Sequence, residues 1–197
     1  SELVGNDKLA KSITELIPKN KFIVGYAGTL GLANAMEYLV EASLIMNEDK
    51  VHFVIVGNGY LKNKLMNKVK DSNNITFINK IPKSQVQNML SYFDVCYISR
   101  YNSPLYKYGV SYNKYFDYML AKKPILESSD LIKDQVELSN CGLIVEPENS
   151  KEIVKGILQL YNLPSEELQK MGNRGYNYVI KKHSYAFLSD LYLKLFK

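Results

Sequence analysis

Short runs of consecutive apolar residues alternate along most of the chain with glycine-bearing turns and amphipathic stretches. FIVGYAGTLG, from Phe22, precedes helical spacing from about Ala33 to Met46, with Met36, Leu39, Val40 and Leu44 on one side. HFVIVGNG, from His52, leads into a lysine-rich helix reaching Lys70, and ITFINKI, from Ile75, into a helix near Gln85 to Tyr92. VCYIS, from Val95, opens onto a loop, and PILES and GLIVEP each precede a further helix. The strands are continuously apolar, which is how strands buried on both faces read. Six strand–helix units without a hairpin predict an α/β, Rossmann-like fold: a six-stranded, mostly parallel sheet with helices on both faces. Ligands of such sheets bind beyond the carboxyl ends of the strands.

The ends of the chain read differently. Leu9, Ile13, Leu16 and Ile17 recur at helical spacing and Pro18 closes the run. This predicts an interdomain lead-in helix over 1–20 that needs a surface to lie against. Beyond Lys151 the pattern is helical throughout: Ile153, Val154, Ile157 and Leu158, then Leu168 to Ile180 after the start signal Pro164–Ser165–Glu166, then Tyr185 to Phe196. The last two helices are expected as exposed extras on a closed sheet, suited to a chain that crosses to another domain. Residues 21–197 are thus expected to form one domain.

Composition narrows the class. With 46% hydrophobic residues in 197, a single well-filled core is expected. The net charge of +5 comes from scattered lysines against only two arginines, Arg100 and Arg174, which argues against a nucleic-acid surface. Cys96 and Cys141 lie far apart within apolar runs, as buried free thiols of a reducing compartment do. His52 and His183 lack acidic or cysteine neighbours at metal-ligand spacing, so no metal site is expected. No apolar run approaches a membrane span and no signal-peptide pattern is present, so a cytoplasmic location is expected by default.

The stretch Tyr108 to Leu126, YGVSYNKYFDYMLAKKPIL, carries the strongest chemical signal. A turn at Gly109 precedes Ser111, Asn113 and Lys114, and then the helical spacing of Tyr115, Phe116, Met119 and Leu120. Ser111 or Asn113 can cap the helix, while Lys122, Lys123 and Pro124 suit its end. A helix start beside a glycine turn offers free N–H groups to a phosphate. Asp117 stands on the same face as Asn113 and Lys114, and its carboxylate could accept hydrogen bonds from a vicinal diol such as ribose. The same residues also read as a capped surface helix with one ordinary ion pair.

Other motifs say less. Gly57, Asn58 and Gly59 let backbone approach a ligand, but such turns are common in this fold. Gly25, Gly28 and Gly31 lack dinucleotide-binding spacing, and neither a P-loop nor a nucleophile elbow is present. Eight of the 16 tyrosines fall between Tyr92 and Tyr118. Either they fill core gaps in a chain without tryptophan, or one or two of Tyr101, Tyr106 and Tyr108 flank a bound base or sugar.

In order, GYAGTLGLANAMEYLVEA, VIVGNGYLKNKL, ITFINKIPKSQVQNMLSYFDVCYIS, GVSYNKYFDYMLAKKPIL and CGLIVEPENSKEIVKGI resemble the C-terminal half of a GT-B-fold, group 1 retaining glycosyltransferase. That family builds capsule, lipopolysaccharide and related bacterial glycans, and the resemblance covers about Phe22 to Lys197. It implies a domain that binds a nucleoside diphosphate sugar, with UDP the expected nucleotide, and a missing N-terminal domain that binds the acceptor, a lipid-linked glycan. It further implies hexosyl transfer with retention, no cofactor or obligatory metal, and a peripheral place at the inner membrane face. Alone, the chain is expected to bind without turning over.

By the same resemblance, Lys80 and Ile81 would contact the base through backbone, and Asp117 stands where the family's ribose-binding glutamate does. Gly109, Val110 and Ser111 would face the diphosphate and donor sugar. Thr29, Gly31 and Asn34 lie in the turn that carries a phosphate-binding arginine and lysine in the family. Those basic residues are missing, and Gly109 replaces a second family glutamate eight positions before Asp117. Lys114 is expected to supply the positive charge, with Asn113 beside it among the nucleotide-sugar-binding residues. Two alternatives stay open: a UDP-sugar epimerase or hydrolase of the same architecture, and a non-enzymatic nucleotide-binding module.

Overall fold

The computed structural model describes residues 5–104, 106, 113–131 and 134–196. Strands β1 (Phe22–Ala27), β2 (Val51–Val56), β3 (Ile75–Ile78), β4 (Val95–Ser99), β5 (Ile125–Ser128) and β6 (Gly142–Val145) form one sheet in the order β3-β2-β1-β4-β5-β6. Every pairing is parallel, so the sheet expected as mostly parallel is wholly so among the described residues. Helices α1 (Lys11–Thr14), α2 (Met36–Ile45), α3 (Lys62–Lys68), α4 (Val86–Ser91) and α5 (Asn113–Leu120) alternate with the first strands. They are followed by α6 (Gln135–Ser139), α7 (Ser150–Tyr161), α8 (Ser165–His183) and α9 (Tyr185–Leu193).

Pleating sends successive side chains of each strand into two cores. Ile23, Val54, Val56, Cys96, Ile98 and Ile125 pack with Met89, Phe93, Tyr115, Tyr118 and Met119 of the α4–α5 side. Val24, Tyr26, Phe53, Ile55, Val95 and Tyr97 pack with Met36, Leu39, Val40, Ile153, Ile157 and Leu160 of α2 and α7. Strands β2 and β4 are buried along their whole length, whereas edge strands β3 and β6 are mostly half-buried. The chain reverses direction across the sheet at β1 and β4, and this opens a crevice at their carboxyl ends. Both cysteines are buried and unbridged.

Three expectations need correction. The lead-in helix over 1–20 shrinks to the four residues of α1; Leu9 and Ile17 are buried and Ile13 packs beside them, but Leu16 is half-exposed. Its surface is α4 and the 3₁₀ turn before it, through Leu9 N–H to Asn88 Oδ1 at 3.1 Å and Asp7 N–H to Ser84 O at 2.9 Å. Helix α2 starts after a 3₁₀ turn (Leu32–Asn34) and left-handed Ala35 (φ 41°), and its buried stripe ends on Ser43 and leaves Leu44 exposed. Helix α8 is docked, contrary to the expectation of an exposed extra: a Cβ on Gly172 would lie 1.9 Å from Lys122 O, and Val179 is buried. Of the last two helices, α9 with the turn after it is the largely exposed one, with Tyr185 at 76% and Leu195 at 77%.

Candidate functional site

A cleft of about 590 Å³ opens at the carboxyl ends of β1, β2 and β3 and is walled by the start of α5. Its floor is two backbone turns in contact. Gly28 N–H donates to Val56 O at 2.9 Å and Leu30 N–H to Asn58 O at 3.0 Å. Gly57 has φ +150°, and a Cβ there would lie 1.8 Å from Gly28 O, so only glycine lets the turns meet. Tyr26 Oη and Asn34 Nδ2 both donate to Thr29 O, at 2.7 and 3.0 Å, and fix the turn after β1.

Helix α5 is set against this floor by internal ties. Ala27 N–H donates to Tyr118 Oη at 3.0 Å, and Gln87 Nε2 to Asp117 O at 2.9 Å. Beyond the helix end at Leu120, Lys122 turns the chain in the left-handed region (φ 55°), two residues before Pro124. Lys114 Nζ then reaches back to Asn34 Oδ1 at 2.8 Å and lies 5.4 Å from the Tyr26 ring centre. Its stem needs the missing side chain of Gly28, where a Cβ would sit 2.4 Å from Lys114 Cε. Burial, and after it the charge of Arg100, pull the Lys114 pKa down to about 8, against the pull of Asp117. Lys114 is therefore a cation held at the cleft with little solvation.

Asp117, one turn along α5, also lines the cleft. The ion pair of the surface-helix alternative is made, but across elements and not along the helix face: both Asp117 oxygens lie 2.6 Å from Lys83 Nζ. The docking of α5 explains this, since it turns Lys114 toward the β1 turn and Asp117 toward the 3₁₀ turn Lys83–Gln85. Lys83 was not singled out from the sequence, although it lies three residues past Lys80 in the turn after β3.

Of the other residues expected at the site, Thr29, Gly57, Lys80, Ile81 and Asn113 line the cleft, and Asn34 joins it through Lys114. Gly31 is buried behind the lining, with Tyr60 beside it. Gly109, Val110 and Ser111 lie outside the described residues. Among the tyrosines offered as ligand contacts, Tyr101 bonds to Glu37, Tyr106 lies 6.0 Å from the Arg100 guanidinium, and Tyr108 lies outside the described residues. Neither of the first two lines the cleft. Among the described residues no cluster of His, Cys, Asp and Glu has metal-binding proximity.

A buried charge cluster beneath α5 also escaped sequence reading. Arg100, fully buried after β4, pairs with Glu127 on β5 and lies 3.5 Å from Asp134. Tyr115 Oη is 2.6 Å from Glu127 and 2.7 Å from Asp134, whose other oxygen caps α6 through Val136 N–H at 2.9 Å. Burial, and then the neighbouring Asp134, raise Glu127 to about 8. The cluster ties α5 to β4 and β5 through Tyr115, so it braces the helix that carries Lys114 and Asp117.

A poorly solvated ammonium, a floor of close backbone turns and a carboxylate one helical turn away suit a ligand bearing an anion and a diol at fixed separation. A larger cavity, about 850 Å³, lies at the opposite end of the strands among Lys21, Asp49, His52 and Lys68. It mixes both charges, with no comparable convergence of groups.

Residues 21–163 match the profile of a family described as Glycosyl transferases group 1. No curated protein matches the sequence. Among solved structures, S. aureus TarM, a mutant in complex with fondaparinux, alpha-GlcNAc-glycerol and UDP, is 20% identical with TM-score 0.74, over 91% of this chain and 37% of that one. Anabaena HepE in complex with UDP and glucose is 15% identical with TM-score 0.75, over 98% and 55%. The C-terminal domain of the Francisella tularensis group 1 protein LpcC is 18% identical with TM-score 0.71, over 93% and 97%. The chain thus spans 37% of the length of the first and 55% of the second, and at these identities the likeness establishes the fold.

Proposed function

The chain belongs to the group 1 glycosyl transferases, and from that membership we propose that its cleft binds a nucleoside diphosphate sugar, with UDP as the nucleotide. One observation carries the reading: Lys114 and Asp117, one helical turn apart on α5, both face a single cleft at the carboxyl ends of β1 to β3. In this reading the Lys114 ammonium, held by Asn34, meets the diphosphate, and the Asp117 carboxylate accepts from the ribose hydroxyls. Lys80 and buried Ile81 border the base. UDP complexes of TarM and HepE, whose folds this chain shares, support the choice of nucleotide.

As the glycosidic bond to the donor breaks, negative charge grows on the departing diphosphate. A fixed ammonium in a poorly solvated cleft stabilises that charge without reorganising. The Arg100–Glu127–Asp134–Tyr115 cluster contributes by keeping α5 in register, since Tyr115 follows Lys114 directly.

The finer proposals rest on the family resemblance: hexosyl transfer with retention of configuration, bacterial surface polysaccharide as the product, no obligatory metal, and an acceptor site supplied by a second domain. Residues 21–197 then act as the donor-binding unit, which binds without transferring by itself. No helix among the described residues is long and apolar enough to cross a membrane. Calorimetric titration with UDP, GDP and ADP in EDTA tests the reading. Saturable binding of UDP in the presence of the chelator is the expected result; absence of binding for all three nucleotides contradicts it.

A further inference from the structure

The Asp117 carboxylate already has a partner within the chain. Lys83 Nζ lies 2.6 Å from each oxygen and so bridges the edge that a vicinal diol would use. The two partners are unlike: the Asp117 side chain is 20% exposed, the Lys83 side chain 71%. The carboxylate is set in the wall and the ammonium covers it from the solvent side. The contact is built into the packing. Gln87, one turn beyond Lys83, donates to the Asp117 carbonyl at 2.9 Å, and the N-terminal segment is bonded to Ser84 at 2.9 Å. The backbones carrying the two charges are therefore held in place.

We propose that Lys83 is a specificity-determining residue of the nucleotide site, an internal cation that a ribose diol must displace from Asp117. The inference rests on the proposed function. A ligand with both ribose hydroxyls gains two hydrogen bonds to Asp117 and loses the Lys83 pair. A ligand lacking a hydroxyl gains less and leaves Lys83 where it is. Lys83 thus sets how strongly the site distinguishes ribose from deoxyribose. Because the pair is at the surface, screening by salt weakens it and widens that distinction.

The test compares UDP with deoxyuridine diphosphate by calorimetry, in the wild-type chain, Lys83→Met, Asp117→Asn and the double variant. The two ligands carry the same charge, so their affinity ratio cancels any general effect of removing a lysine. Lys83→Met should widen the ratio in favour of UDP by about two- to fivefold, the worth of an exposed ion pair. It should have no such effect in the Asp117→Asn background. Raising the salt concentration should widen the wild-type ratio and leave that of Lys83→Met flat. An unchanged or narrowed ratio in Lys83→Met, with UDP still binding and Asp117→Asn still reducing the ratio, overturns the proposal alone. Failure of the wild-type chain to bind UDP, or a ratio indifferent to Asp117→Asn, overturns the site reading and the proposal together. Lys83 is exposed, and a melting curve matching wild type confirms that the variant is folded.

Discussion

Lys114 and Asn34, 80 residues apart in sequence, meet at 2.8 Å and join the start of α5 to the turn after β1 across the cleft. The pair holds a cation against the turn after β1. Lys114 also titrates unusually: burial and Arg100 bring it to about 8, from an ordinary 10.5.

An anion bound beside Lys114 restores its proton, so above pH 8 binding must take one up. UDP affinity should fall as pH rises past about 8, approaching about tenfold per unit, while uridine affinity stays flat. The stability of the fold itself has the opposite sign. The folded lysine releases its proton near 8 and the unfolded one holds it to 10.5, so the unfolded state binds more protons between these values and stability rises with pH. Lys114→Met should remove both trends, as read from calorimetry and from urea unfolding across that window.

The buried cluster makes a second pH-dependent contribution. Glu127 is raised from 4.5 to about 8, so between these values the folded chain holds a proton that the unfolded chain has released. This stability is fully present below 4.5 and is lost as pH rises through 8. Glu127→Gln should flatten the unfolding free energy across that range. Arg100→Met, which takes the cation out of the buried cluster and leaves Asp134 without its partner at 3.5 Å, should cost about 3–5 kcal/mol in urea unfolding at neutral pH.

Gly57→Ala tests the cleft floor. With φ +150° and Gly28 O only 1.8 Å from the new Cβ, the β1 and β2 turns must separate. A loss of about 2–3 kcal/mol is expected in denaturant unfolding, along with weaker UDP binding.

The sheet was legible because a strand buried on both faces is apolar along nearly all its length: all six residues of β2 and all five of β4 are buried, and only His52 and Ser99 among them are polar. Most cleft residues were legible for a related reason: glycines and polar residues directly after such strands mark the carboxyl end of the sheet. What could not be read was side-chain direction. Asp117 and Lys114 share a helix face by spacing, but the docking of α5, through Tyr118 to Ala27 and Gln87 to Asp117, turns them to different partners. Arg100, Glu127 and Asp134 lie on separate elements and converge only once β4 and β5 pair. Helix α8 was expected to be exposed because its docking relies on Gly172, which contributes no apolar signal but lets backbone touch backbone.

Titration of UDP and uridine into wild type, Asp117→Asn and Lys114→Met separates the two halves of the site. Asp117→Asn should weaken both ligands by about 1.5–3 kcal/mol, the range for hydrogen bonds to a charged group. Lys114→Met should weaken UDP far more than uridine and reduce the salt dependence of UDP binding, because its partner is phosphate charge. Unchanged affinities in both variants, with only a small drop in melting temperature, would contradict the nucleotide site and leave α5 as a surface helix bearing an ordinary ion pair.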